Sequence, residues 1–160
     1  MIAVVISVTF CILLTQPKIY ATVSDVIKTA TSGGFDKYTY RGELSEETFD
    51  EYKRLGYVPE GYDIRSIVFG GCAAVLNYEN ENEDTIEFMY GIASNSSISI
   101  DNERHTYKEI KHNGQTYYLY IATEENDWST IIWYRGDYVY SVNAHFDENE
   151  LVKIAESVEF

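Results

Sequence analysis

Residues 115–144 read QTYYLYIATEENDWSTIIWYRGDYVYSVNA, and this stretch decides the fold. Apolar and polar side chains alternate with a period of two through 115–122 (QTYYLYIA), 128–134 (WSTIIWY) and 138–144 (YVYSVNA), the spacing of strands. The β-branched and aromatic residues that fill these runs suit a pleated surface better than a helix. Arg135-Gly136-Asp137 between the second and third run is short enough for a tight hairpin, which makes the neighbouring strands antiparallel. The same tripeptide spells an adhesion motif, but between two strands it reads as a turn in which Gly136 supplies a positive φ.

Working outward, the period of two continues toward the N-terminus. Strands are expected at 106–111 (TYKEIK), 85–91 (TIEFMYG), 72–79 (CAAVLNYE) and 63–69 (DIRSIVF), with Gly70-Gly71 and Asn113-Gly114 as hairpin turns. The acidic loops 80–84 (NENED) and 123–127 (TEEND) close two more connections. Residues 94–97 (SNSS) interrupt the pattern before 98–101 (ISID), and 36–42 (DKYTYRG) alternates weakly as a first strand.

Toward the C-terminus the period changes. Leu151, Ile154, Ala155 and Val158 fall at i, i+3, i+4 and i+7, Asp147 stands as N-cap with Glu150 as its capping-box partner, and Phe146 is placed to staple onto Leu151. A helix over 148–157 follows. A second helix is expected after Ser45 as N-cap, with Phe49, Tyr52 and Leu55 on one face and Gly56 ending it. Val23, Val26, Ile27 and Ala30 suggest a further amphipathic turn or two, stopped by Gly33-Gly34. The expected fold is α+β: a largely antiparallel, twisted sheet of about six to seven strands, covered on one face by an N-terminal and a C-terminal helix.

Met1 to Leu14 (MIAVVISVTFCILL) carries no charged side chain, and Lys18 follows Pro17. Fourteen helical residues reach about 21 Å, short of a hydrocarbon core of about 30 Å, so this length suits a signal-peptide core or a short anchor. Residues 1–21 are therefore read as signal peptide or membrane anchor, 22–34 as a connecting segment, and 35–160 as a single extracytoplasmic α+β domain. Ala21 is a tolerable cleavage site, and no positive residue precedes the apolar run. Phe10 ahead of Cys11 argues against lipoprotein attachment.

The formal net charge is -14, and past residue 21 the chain carries 11 bases against 26 acids. That balance makes nucleic acid and anionic membrane surfaces poor partners, and no nucleic-acid partner is expected. Cys11 and Cys72 form no disulfide framework and no thiolate zinc site. Cys72 reads as a small apolar side chain on a strand.

No residue set specifies a reaction. His105, His112 and His145 lack metal-ligand spacing, no nucleophile elbow or phosphate loop is present, and the run 79–84 lacks the Gly turn of a calcium loop. No cofactor is expected, and Asn95-Ser96-Ser97 is a bare glycosylation sequon. The candidate interaction surface is a set of strand tyrosines, Tyr118 and Tyr120 on one side of their strand and Tyr138 and Tyr140 on one side of theirs, with sheet packing as the plainer reading.

Tyr57-Val58-Pro59-Glu60-Gly61-Tyr62, Ser97-Ile98-Ser99-Ile100-Asp101, Asn113-Gly114, Ile132-Trp133, Tyr138-Val139-Tyr140-Ser141-Val142 and 150–158 (ELVKIAESV) stand in the order and spacing of a bacterial family. Over residues 57–160 the chain resembles domain of unknown function 4367, which is common in Firmicutes as the outer part of single-pass membrane proteins with an anti-sigma-like cytoplasmic head. The resemblance implies an extracytoplasmic, non-catalytic, sensory domain linked to envelope stress or anti-sigma-type regulation. It brings no catalytic residues, and without the head it carries over no sigma-factor binding. The expected function is thus a membrane-anchored or secreted binding or sensory domain meeting an unknown protein or envelope component, with the membrane reached through residues 1–14 if they stay attached. An envelope hydrolase using paired carboxylates is the alternative.

Overall fold

The computed structural model describes residues 20–31, 35–45, 53–70, 73–93 and 97–159. Met1–Ile19, Cys72, the Gly33-Gly34 stop, Gly71, Asn95 and Ser96 lie outside these residues, and so do the readings attached to them. Strands run in chain order as β1 (Tyr20–Thr31), β2 (Phe35–Ser45), β3 (Arg54–Leu55), β4 (Asp63–Gly70), β5 (Ala73–Glu79), β6 (Thr85–Ile92) and β7 (Ser97–Asp101). They continue as β8 (His105–His112), β9 (Gln115–Ala122), β10 (Ser129–Arg135) and β11 (Tyr138–Ala144), then helix α1 (Glu148–Glu156) and β12 (Val158–Glu159).

Seven of these strands make one sheet in the order β4-β5-β6-β11-β10-β9-β8, every neighbour antiparallel. Two sequential meanders, β4 to β6 and β8 to β11, therefore meet where β11 pairs with β6. Two of the tight turns expected between strands are present, while the one at Gly70-Gly71 runs into residues outside those described. Asn113 and Gly114 both have positive φ (49° and 80°), as a two-residue hairpin of the primed type requires, and Gly136 turns the next hairpin at φ 58°.

One face of the sheet is sealed by α1. Its Leu151, Ile154 and Ala155 are buried against Leu76, Phe88, Leu119, Ile131, Trp133 and Val142. Across that face Tyr117, Trp133, Tyr140 and Tyr90 sit in register on β9, β10, β11 and β6. The Trp133 and Tyr140 rings stack at 5.2 Å and 12°, and Tyr117 leans on Trp133 at 6.0 Å. Such pairs add about 0.5–1.5 kcal/mol each to simple burial. The N-terminus of α1 is capped as expected: the Glu150 N–H donates to Asp147 Oδ1 at 2.9 Å. The Glu150 side chain departs from the capping box and instead accepts from the Tyr57 hydroxyl at 2.6 Å.

The N-terminal helical reading over the connecting segment needs correction. Residues 22–31 of the expected 22–34 connecting segment, with its amphipathic turn or two, lie instead in β1 (Tyr20–Thr31), paired along its length with β2. The apolar spacing there fits a helix, but Thr22, Val23, Val26, Ile27, Thr29 and Thr31 are β-branched and lose χ1 freedom in one, and strand pairing wins. The N-terminal covering helix expected after Ser45 falls mostly on 46–52, outside the described residues; its expected C-terminal end, Arg54–Leu55, is strand β3 instead. Leu55 is buried as expected, but as a strand residue pairing with Val158 of β12. Tyrosine hydroxyls fix this segment: Tyr78 accepts from the Leu55 N–H at 3.2 Å and Tyr90 from the Lys53 N–H at 3.1 Å. A Phe at either position would leave a buried N–H without that acceptor.

The opposite face carries a layer the sequence reading did not foresee. β7 leaves the large sheet and joins β2 and β1 in a three-stranded sheet. Its Ile98 and Ile100 pack on Tyr120, Ile132, Val139 and Ala93, covering the β9–β11 half of that face.

Candidate binding surface

Strand register carries one row of side chains across the face opposite α1. Tyr107, Tyr120, Thr130, Asn143, Glu87, Asn77 and Ser66 are direct partners from β8 through to β4. Five consecutive members, one from each of β10, β11, β6, β5 and β4, are polar. Thr130 donates its hydroxyl to Asn143 Oδ1 at 2.8 Å, Asn143 donates its amide to Glu87 Oε1 at 2.8 Å, and Asn77 donates to Ser66 Oγ at 3.0 Å.

The row is graded. Thr130 and Asn143 are 2% and 1% exposed, Glu87 and Asn77 are half-buried, and Ser66 is exposed. Buried polar groups must be paired, and the two deep ones pair with each other and with Glu87. Glu87 thus stands where the sealed pair gives way to the progressively more exposed members of the row. On the same face Val75 of the adjoining β5 is half-buried, and Val68 of edge strand β4 is exposed.

The four tyrosines expected as an interaction surface do not share one. Tyr118 and Tyr120 lie on the face opposite α1, while Tyr138 and Tyr140 point toward α1, because their strands present opposite parities to the helix. Tyr120 and Tyr140 are fully buried, and Tyr118 and Tyr138 are half-buried. Tyr138 also receives the Lys53 ammonium over its ring at 4.8 Å.

The acidic loops are closed by their own bonds. Asn80 Oδ1 accepts from the N–H groups of Asn82 and Asp84 at 2.9 and 3.0 Å, and Asn80 donates to Asp84 Oδ2 at 3.0 Å. Arg104 holds the other loop through Glu124 at 3.3 Å and Asp127 at 3.2 Å. The histidines are dispersed: His105 Nε2 meets the Trp128 carbonyl at 2.9 Å, His112 pairs with Glu156 on α1, and His145 sits edge-on to Trp128. Among the described residues, no group of three or more His, Cys, Asp or Glu side chains is placed to hold a metal ion, and no helix is long and apolar enough to cross a membrane. Arg135-Gly136-Asp137 is the β10–β11 turn, its Asp137 carbonyl accepting from the Ala93 N–H at 2.9 Å.

The row was missed from sequence because alternation assigns each strand two faces without saying which strands adjoin. Thr130, Asn143 and Glu87 align only through the β6–β11 pairing. A signal was nevertheless present, a polar residue at an inward position in each of three apolar strands.

The molecule is thus a domain built on a seven-stranded antiparallel sheet with one C-terminal helix. It belongs to the family described as Domain of unknown function (DUF4367), whose model matches residues 52–158. Comparison with curated proteins and with solved structures gave no match.

Proposed function

We propose that this chain is an extracytoplasmic binding or sensory domain, membrane-anchored or secreted by way of residues 1–21, which acts by contact and not by catalysis. The graded polar row carries this reading. A sealed Thr130–Asn143 pair holding a half-buried carboxylate, with Val75 and Val68 on the same face toward the β4 edge, makes a mixed polar and apolar surface of the kind used at contact sites. Export is supported by the uncharged run Met1–Leu14 ahead of a strongly acidic remainder. The contact made is with a protein or envelope component, and a regulatory role in envelope stress is the family-level extension of the same reading.

Protease treatment of intact bacterial protoplasts expressing the full chain tests it. Degradation of residues 22–160 without lysis is the expected result. Full protection, reversed on lysis, places the domain inside and removes the proposal.

A further inference from the structure

The large sheet has two edges, and they are built differently. β8 carries Lys108, Glu109 and Lys111, charges that discourage a foreign strand from pairing, and ties Lys108 and His112 to α1 through Glu148 and Glu156. β4 exposes three aliphatic side chains instead: Ile64 at 45%, Ile67 at 39% and Val68 at 58%. Ile64 and Ile67 stand beside Tyr78 and Leu76 on the α1 side and Val68 beside Val75 on the other, so the edge is apolar on both faces. A bulge at Arg65 interrupts the ladder near the start of β4, and regular pairing resumes from Ser66 to Gly70.

We propose that β4 is a strand-addition site for an extended cationic peptide segment of a partner protein, which pairs along Ser66–Gly70 and continues the sheet. Backbone hydrogen bonds would supply the affinity, and alternate side chains of the added strand would lie on Val68 and on Ile67. Charge selects the occupant. Asp63 and Glu79 face each other at one end of β4, Glu60 precedes it, Glu81, Glu83 and Asp84 follow in the adjoining loop, and Glu87 lies two strands inward. Arg65 is the base β4 itself carries. A segment with Lys or Arg among apolar residues complements this surround, whereas a second copy would bring the same acids to the same edge. The inference rests on the reading of the chain as a contact domain and deepens it by naming the partner's chemistry. Its test reads binding alone, so its failure leaves the export result untouched.

The full chain in nanodiscs of zwitterionic lipid is titrated into a fluorescent peptide of alternating Val and Lys, with anisotropy as the readout and empty nanodiscs as the blank. Binding is expected for this peptide, with loss of about tenfold in affinity when alternate backbone nitrogens are methylated and a similar loss for Val68→Lys. A Val and Glu peptide is expected not to bind, and Thr106→Lys on the other edge leaves affinity unchanged. Equal binding of the methylated and unmethylated peptides overturns strand addition, and because it uses the unaltered chain it holds even if Val68→Lys misfolds. Absence of binding, or concentration-dependent dimerisation that Val68→Lys abolishes, overturns the proposal as well, the latter by assigning the edge to a second copy.

Discussion

Asn143 reaches across the β11–β6 boundary and donates its side-chain amide to Glu87 at 2.8 Å. That bond lies where the two meanders join, and it is continued on the far side by the Thr130 hydroxyl. Replacing Asn143 by Leu removes the acceptor for one buried donor and the donor for a carboxylate. A loss of about 1–3 kcal/mol in urea unfolding is expected. Asn143→Asp should cost more, because it sets a second carboxylate against Glu87.

The stripe on α1 should behave as core. Leu151→Ala or Ile154→Ala removes a fully buried side chain, for which about 2–5 kcal/mol is typical. Asp147→Ala removes a cap and opens no cavity, and should cost about 1 kcal/mol. Denaturant midpoints of the three variants give the order directly, and a neutral Ile154→Ala would contradict the packing described.

Gly56 has a steric assignment. A Cβ at this position would stand 2.5 Å from the Ser157 carbonyl oxygen, and the Gly56 N–H donates to that same oxygen at 2.9 Å. Gly56→Ala should therefore open the β3–β12 pairing, lowering the melting temperature and raising amide exchange at Leu55 and Val158. Ala at Gly136 makes a useful contrast, since its Cβ would meet nothing within 4 Å and only the positive φ of 58° opposes it.

Alkaline pH should weaken the fold. Burial, reinforced by the Glu156 carboxylate and opposed by Arg135, holds the Tyr117 hydroxyl above its ordinary value of 10.0, and burial with Asp84 does the same at Tyr62. The unfolded chain then ionises first, so unfolding releases protons and stability falls as pH rises past about 10. Tyr117→Phe should shallow the decline of melting temperature between about pH 9.5 and 11 without abolishing it, because Tyr62 still contributes.

The large sheet was legible in the sequence strand by strand, because side-chain alternation and turn residues are local properties. The strand over 115–122 and the helix near 148–157 both show this. Sheet order was not legible: nothing in 85–92 or 138–144 announces that those strands adjoin, and the polar row depends on it. The N-terminal errors have a different origin. Val23, Val26 and Ile27 satisfy helical spacing and strand propensity at once, and pairing with β2 settles the choice. Two family motifs far apart in the chain, residues 57–62 and 150–158, touch. Tyr57 bonds Glu150, and Tyr62 lies edge-on to Phe146 at 5.9 Å, contacts that separation along the chain conceals.

The pairing of β3 with β12 means that Arg54 and Glu159, 105 positions apart, lie side by side and share an ion pair at 2.7 Å. Chain enters and leaves the family-matched unit at one point on its surface. Such a unit can hang from a single attachment or sit as an insert within another chain's loop without either end crossing the sheet. A circular permutant that joins residue 159 to residue 54 through a few glycines and opens the Asn113-Gly114 turn has a short gap to bridge, and the large sheet would keep every neighbour except the hairpin link between β8 and β9.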